Sequence, residues 1–173
     1  MATTLANGGN RRGAELSLYP DAVEKAVAAG AMLLLTVLVV ALVRGWAEWG
    51  QIPTIVWLHI CAIAVALVLT PLLMLRKRGT RWHRRTGWAW CVAMATTACL
   101  SLFIHGLSDG RFSWIHVLSV ITLIGVYGIV TAARSHNVAK HRSTVRAVAI
   151  GALLVAGFFT LLPKRTLGHM LYG

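Results

Sequence analysis

Acidic residues are scarce in this sequence: five Asp and Glu stand against seventeen Lys and Arg, a net charge of +12. Cysteine is sparse as well, with Cys61, Cys91 and Cys99 only and no CxxC pair, so a cysteine-based metal or dithiol motif is excluded. All three fall in apolar runs, where a thiol serves as a small apolar filler. A GxSxG nucleophile elbow and a phosphate-cradling glycine loop are also missing, which removes the common hydrolase and nucleotide-binding signatures.

What is abundant is apolar sequence: 57% of the chain is hydrophobic. Five runs, about Ala26–Val43, Ile52–Leu75, Thr86–Leu107, Phe112–Ala133 and Val145–Leu162, approach or exceed the roughly 20 residues a helix needs to cross a bilayer. Alternating short segments of the membrane-barrel kind are absent. The expected fold is therefore all-α, an integral membrane bundle of five transmembrane helices. Residues 1–25 read as a cytoplasmic tail, 26–51 as an uncleaved first anchor with its outer loop, and 52–173 as a four-helix core.

The basic residues are distributed unevenly. Arg76, Lys77, Arg78, Arg81, Arg84 and Arg85 separate spans two and three, and Arg134, Lys140, Arg142 and Arg146 separate spans four and five. The alternate connections are nearly neutral, carrying Arg44 with Glu48 and Asp109 with Arg111. Positive charge is retained preferentially inside, which predicts a bacterial inner membrane protein with a cytoplasmic N-terminus and a periplasmic C-terminus, Lys164 and Arg165 counting mildly against. Basic residues that hug span ends argue for lipid headgroups as partners and against nucleic acid. Trp46, Trp49, Trp57 and Trp114 at one boundary, and Trp82, Trp88 and Trp90 at the other, read as interfacial belts. Pro71 predicts a kink in span two, and Gly79 and Asn137 predict left-handed caps.

A duplication is the expected origin of this layout, with chance alignment of basic span ends as the alternative. Trp57 and His59 match Trp114 and His116 at an offset of 57; Arg76, Gly79, His83, Arg84 and Thr86 match Arg134, Asn137, His141, Arg142 and Thr144 at 58. Spans two to five thus read as two parallel copies of one hairpin.

No Asp, Glu or Lys lies within the predicted spans, so histidines are the ionisable groups at depth. A buried ionisable group needs a partner, and without carboxylates an imidazole is suited to a metal, haem iron included. Two parallel hairpins place spans two and four on one diagonal, with His59 and His116 toward the outer end, and spans three and five on the other, with His83 and His141 at the inner end. Each pair has the chemistry to clamp one haem b, giving two haems stacked across the bilayer. Gly87, on the face of His83, leaves room for a porphyrin; Val145 stands at the matching place after His141. Arg81, Arg84 and Arg142 are candidates for inner propionates, and Arg111, Lys164 or Arg165 for outer ones, with lipid anchoring as their ordinary role. His105, at the outer end of span three, is an alternative outer ligand, and with His59 and His116 makes a three-histidine zinc or copper site of a membrane metalloenzyme the rival reading. A structural or accessory subunit with no cofactor is the other rival. His136 and His169 read as loop and tail residues.

The stretches "RKRGTRWHRRTGWAW", "WIHVLSV" and "HRSTVR" resemble a prokaryotic family of membrane proteins catalogued as domain of unknown function 2306, over about Ile52 to Gly173. In layout the four histidines are also similar to cytochrome b-561 and its relatives. That similarity implies quinol-linked electron transfer through two b-type haems, an oxidoreductase component working with quinone or with other subunits of a respiratory or redox membrane complex, and His59, His116, His83 and His141 as axial ligands.

Overall fold

The structure is a computed structural model that describes residues 19–104, 114–161 and 166–172. Five helices long and apolar enough to cross a membrane are present among them, and no strand is. They are α1 (Ala22–Arg44), α2 (Thr54–Leu75), α3 (Arg81–Phe103), α4 (Trp114–Arg134) and a fifth span in three parts. That span begins as α5 (Val138–Val148), passes through a π-helical segment (Ala149–Val155) and ends as α6 (Ala156–Thr160); α7 (Thr166–Tyr172) follows.

Helices α1, α2, α3, α4 and α5 pack in sequence, each on the next except α1 and the fifth span, which meet through the π segment. Helices α2 and α4 both flank α3, and α3 and α5 both flank α4, so the two expected diagonals exist. Helix α1 closes the circle, with Val27, Ala28, Ala31 and Leu38 buried in the same apolar core as Leu67, Met94, Ile129 and Leu153. Close approach rests on small residues, as it must where lipid removes the hydrophobic incentive to associate. Ala31 and Ala66 are fully buried. The outer surface is the reverse: Leu33, Phe103, Ile124 and Tyr127 are each at least 65% exposed. Such a surface is ordinary against acyl chains and untenable in water, so the chain is a multi-pass membrane protein.

Hydropathy located the spans but misplaced their polar starts. Helix α1 begins at Ala22 rather than Ala26, and the fifth span begins at Val138 rather than Val145. The reason is capping. Asp21 accepts from the Glu24 N–H while the Glu24 carboxylate accepts from the Asp21 N–H, a reciprocal box at 3.1 Å each way. Asn137 caps α5 by accepting from Lys140 N at 3.0 Å, and Thr80 caps α3 by accepting from His83 N at 3.0 Å. Asn137 is therefore an N-cap (φ −82°) and not the left-handed residue expected; His136 takes that conformation with φ 56°. Gly79, at φ 80°, is left-handed as its type predicts. Pro71 lies inside α2, which continues to Leu75.

The belts are partly as expected. Trp49 and Trp57 meet edge-to-face at 5.2 Å beside the turn at Trp46–Gln51, and Arg76 lies over Trp82 at 4.5 Å. Trp90, however, is buried and faces the interior.

Gly125 and Gly128 on α4 give a paired test of this packing. A Cβ at Gly125 would collide with the Val148 side chain on α5, whereas one at Gly128 would meet Thr144 Cγ2 at an ordinary 3.6 Å. Gly125→Ala is expected to cost about 1–3 kcal/mol, and Gly128→Ala to be neutral or stabilising by up to about 1 kcal/mol through helix propensity. Unfolding in detergent decides it; equal effects would refute the assigned α4–α5 contact.

Candidate functional site

At the basic end of the bundle, where α1, α3 and α5 start and α2 and α4 finish, lies a cavity of about 390 Å³. Its walls include Leu73, Met74, Trp90, Ile129 and Val145, and its polar rim is unusually cationic: Arg78, Arg84, Arg134, Arg142 and Arg146 against the single carboxylate of Glu24. His83 and His141 both line it, and so does Gly87, beside which a Cβ would meet open space. The inner diagonal pair is thus brought to one cavity.

Backbone geometry seats each ring. His83 lies in the first turn of α3, its N–H held by the Thr80 cap, and its side-chain Nδ1 is buried with no hydrogen-bond partner among the described residues. His141 Nδ1 lies 3.1 Å from the Ile129 carbonyl of α4. A carbonyl only accepts, so Nδ1 carries a proton, and in the neutral ring Nε2 is the nitrogen with the lone pair. His59 is fixed the same way, Nδ1 donating to the Thr97 carbonyl of α3 at 3.1 Å. Such a bond fixes the orientation of the ring.

His59 is half-buried on α2 and His116 is buried on α4. Both lie away from the cavity, which they do not line. From His59 to the cavity walls at Thr70–Met74 the helix rises roughly 16–22 Å. Near that opposite end a polar strip crosses the α3–α4 interface, where the Ser101 and Ser119 hydroxyls meet and Thr97 and Thr122 are buried. The side chains of His105, Asp109, Arg111, Lys164 and Arg165 lie outside the described residues, as does that of His169. Among the described residues no group of three or more His, Cys, Asp or Glu side chains is disposed to hold a metal ion.

The expectation that histidines alone are ionisable at depth is corrected by Glu24, which is 1% exposed. Its carboxylate binds Arg78 from the α2–α3 connection, Arg142 (Nε to Oε1, 2.7 Å) and Arg146 (2.9 Å). Arg146 also pairs with Asp21, as Arg142 does at 3.1 Å. Arg142, an expected propionate partner, lines the cavity and is engaged by carboxylates, and Arg81 does not line it. Arg84 and Arg134 line it and have no carboxylate partner among the described residues. The sequence signal for Glu24 was the Asp21-x-x-Glu24 spacing after Pro20, a capping-box pattern just ahead of the apolar run.

Comparison of the chain with protein-family models, curated proteins and solved structures finds no match.

Two measurements probe this end of the bundle. Trp90 Nε1 donates to Thr70 Oγ1 at 2.9 Å in a buried wall of the cavity. Thr70→Val orphans that N–H and is expected to cost about 1–3 kcal/mol, with Thr70→Ser near wild type; equal melting of all three would refute it. The second concerns acid. The Glu24 backbone N–H, aided by Arg146, holds the Asp21 carboxyl below its ordinary value despite opposing desolvation. A depressed folded pKa stabilises above the ordinary carboxylate range, and that contribution is lost as pH falls through the lowered value. The melting advantage of wild type over Asp21→Asn should shrink as pH falls from roughly 5; a gap constant with pH contradicts the assignment.

Proposed function

We propose that this is a small b-type cytochrome-like membrane protein that carries electrons across the bilayer. His83 and His141 would hold an inner haem b, and His59 and His116 an outer one. The observation that carries the reading is the cavity at the basic end that His83 and His141 both line: His141 Nδ1 is committed to the Ile129 carbonyl, and the buried Nδ1 of His83 has no hydrogen-bond partner among the described residues. The donor set suits haem, since neutral imidazoles bind iron axially and need no carboxylate in the shell. Bound there, the iron supplies a one-electron couple.

The chain's own residues account for the rest. The carbonyls of Ile129 and Thr97 hold two imidazoles in the metal-binding tautomer. Gly87 would leave room beside a bound cofactor, and Leu73, Met74 and Ile129 give the cavity apolar walls. Arg84 and Arg134 are the guanidiniums available to carboxylate groups at the rim. The helical rise between His59 and the cavity suits two cofactors on opposite sides of the bilayer midplane. The basic end is cytoplasmic in this reading, by the retention of positive charge in a bacterial inner membrane. The electron donor is a quinol, with other subunits of a redox complex as further partners. The histidine layout resembles that of cytochrome b-561, a likeness of layout and not of sequence.

Purified protein is expected to be red, with a Soret band that shifts on dithionite reduction. His83→Ala or His141→Ala should each remove roughly half the haem, and His59→Ala or His116→Ala the other half. Colourless, folded protein after haem supplementation would overturn the proposal in favour of an accessory subunit.

A further inference from the structure

We propose that Glu24, on the first span, is the positioning residue of the cavity, setting where His83 and His141 stand. The argument starts from connectivity. Glu24 is buried and binds three guanidiniums drawn from two separate elements, Arg78 ahead of α3 and Arg142 and Arg146 on α5. Arg142 adjoins His141 in sequence and grips the carboxylate with two nitrogens, Nε at 2.7 Å and Nη2 at 3.2 Å. Arg78 also donates to the Tyr19 carbonyl at 3.1 Å, and the turn it opens passes through left-handed Gly79 to the Thr80 cap that holds His83. One carboxylate therefore ties together the two segments that deliver the cavity's histidines, and both segments otherwise belong to different hairpins.

The same contacts distinguish repeat mates. Arg84 and Arg142 occupy matching places, yet only Arg142 is engaged by Glu24, so Arg84 remains to face whatever the cavity holds. A three-to-one ratio of guanidinium to carboxylate leaves the cluster positive even with Asp21 alongside. Removal of Glu24 would set three buried or half-buried cations against one another within the wall.

The test has an arm that needs no cofactor. Hydrogen–deuterium exchange is compared in the full-length protein for wild type, Glu24→Gln and Arg142→Gln. Glu24→Gln should accelerate exchange roughly tenfold or more in residues 78–87 and 138–146, and leave α2 and the outer half of α4 as in wild type. Arg142→Gln, which leaves Arg78 and Arg146 on the carboxylate, should loosen residues 138–146 alone and serves if Glu24→Gln does not fold. Unchanged exchange in these segments, or an even rise through every helix in Arg142→Gln, overturns the inference.

The second arm rests on the haem reading. Glu24→Gln should convert the low-spin signal of one haem to high-spin while the other stays low-spin; full low-spin signal with only a lower melting temperature marks Glu24 as merely structural and overturns the inference. Wild-type protein lacking any low-spin signal defeats the haem reading instead, and the exchange result then decides the role of Glu24 alone.

Discussion

The structure depends on a carboxylate placed where a carboxylate is costly. Glu24 is almost wholly removed from solvent at the end of a membrane helix, and three arginines make that burial tolerable. Such a cluster adds little net stability, because desolvation of the charges cancels much of their attraction. Its effect is specificity: only one arrangement of α1, the α2–α3 connection and α5 satisfies all the charges at once, and any other leaves an unpaired charge at a price of several kcal/mol. Apolar packing alone would not select that arrangement. Leu, Val and Ala surfaces in lipid slide over one another with little preference beyond shape.

The spans and the meeting of His83 and His141 at one end of the bundle were legible in the sequence because they depend on long-range patterns: hydropathy over roughly 20 residues and the matching of two hairpins. The polar starts of the helices were not. They depend on single side chains, such as Asn137 serving as an N-cap and His136 taking the left-handed place beside it. Glu24 was missed for the related reason that a window over apolar residues ends before it. Its partners lie 54 to 122 residues away in sequence, so the pattern marks a cap and gives no indication of burial. Trp90 shows the converse error, since an aromatic near a span end reads as a belt residue, and only the Thr70 hydroxyl across the interface explains why it turns inward.

The repeat is inexact in ways that bear on the cavity. Around His83 the wall is opened by Gly87; around His141 the matching place holds Val145, which also lines the cavity. His141 is tied to a carbonyl of α4, whereas the buried Nδ1 of His83 has no such tie among the described residues. The third and fifth spans also differ in backbone: α3 is α-helical throughout, and the fifth span becomes π-helical over Ala149–Val155. That segment is where α1 lies against it, with Gly30 opposite Leu154. The first span, present once, packs on α2 of one hairpin and on the π segment of the other, so it does not meet the two hairpins at equivalent places.

Inequivalence of this kind has a chemical consequence for a pair of imidazoles. An imidazole whose Nδ1–H donates to a carbonyl is a stronger donor through Nε2 and is held against rotation, while one lacking that bond is weaker and freer to turn. Among the described residues, His141 is of the first kind and His83 of the second. The cavity therefore has a fixed side, built on α4 and α5, and an adaptable side, built on the first turn of α3. The restraint on the adaptable side comes from the backbone: the Thr80 cap, the Gly79 turn and, through Arg78, the buried carboxylate of α1. That is why a residue on a span outside the repeat bears on the placement of a histidine with which it shares no hydrogen bond.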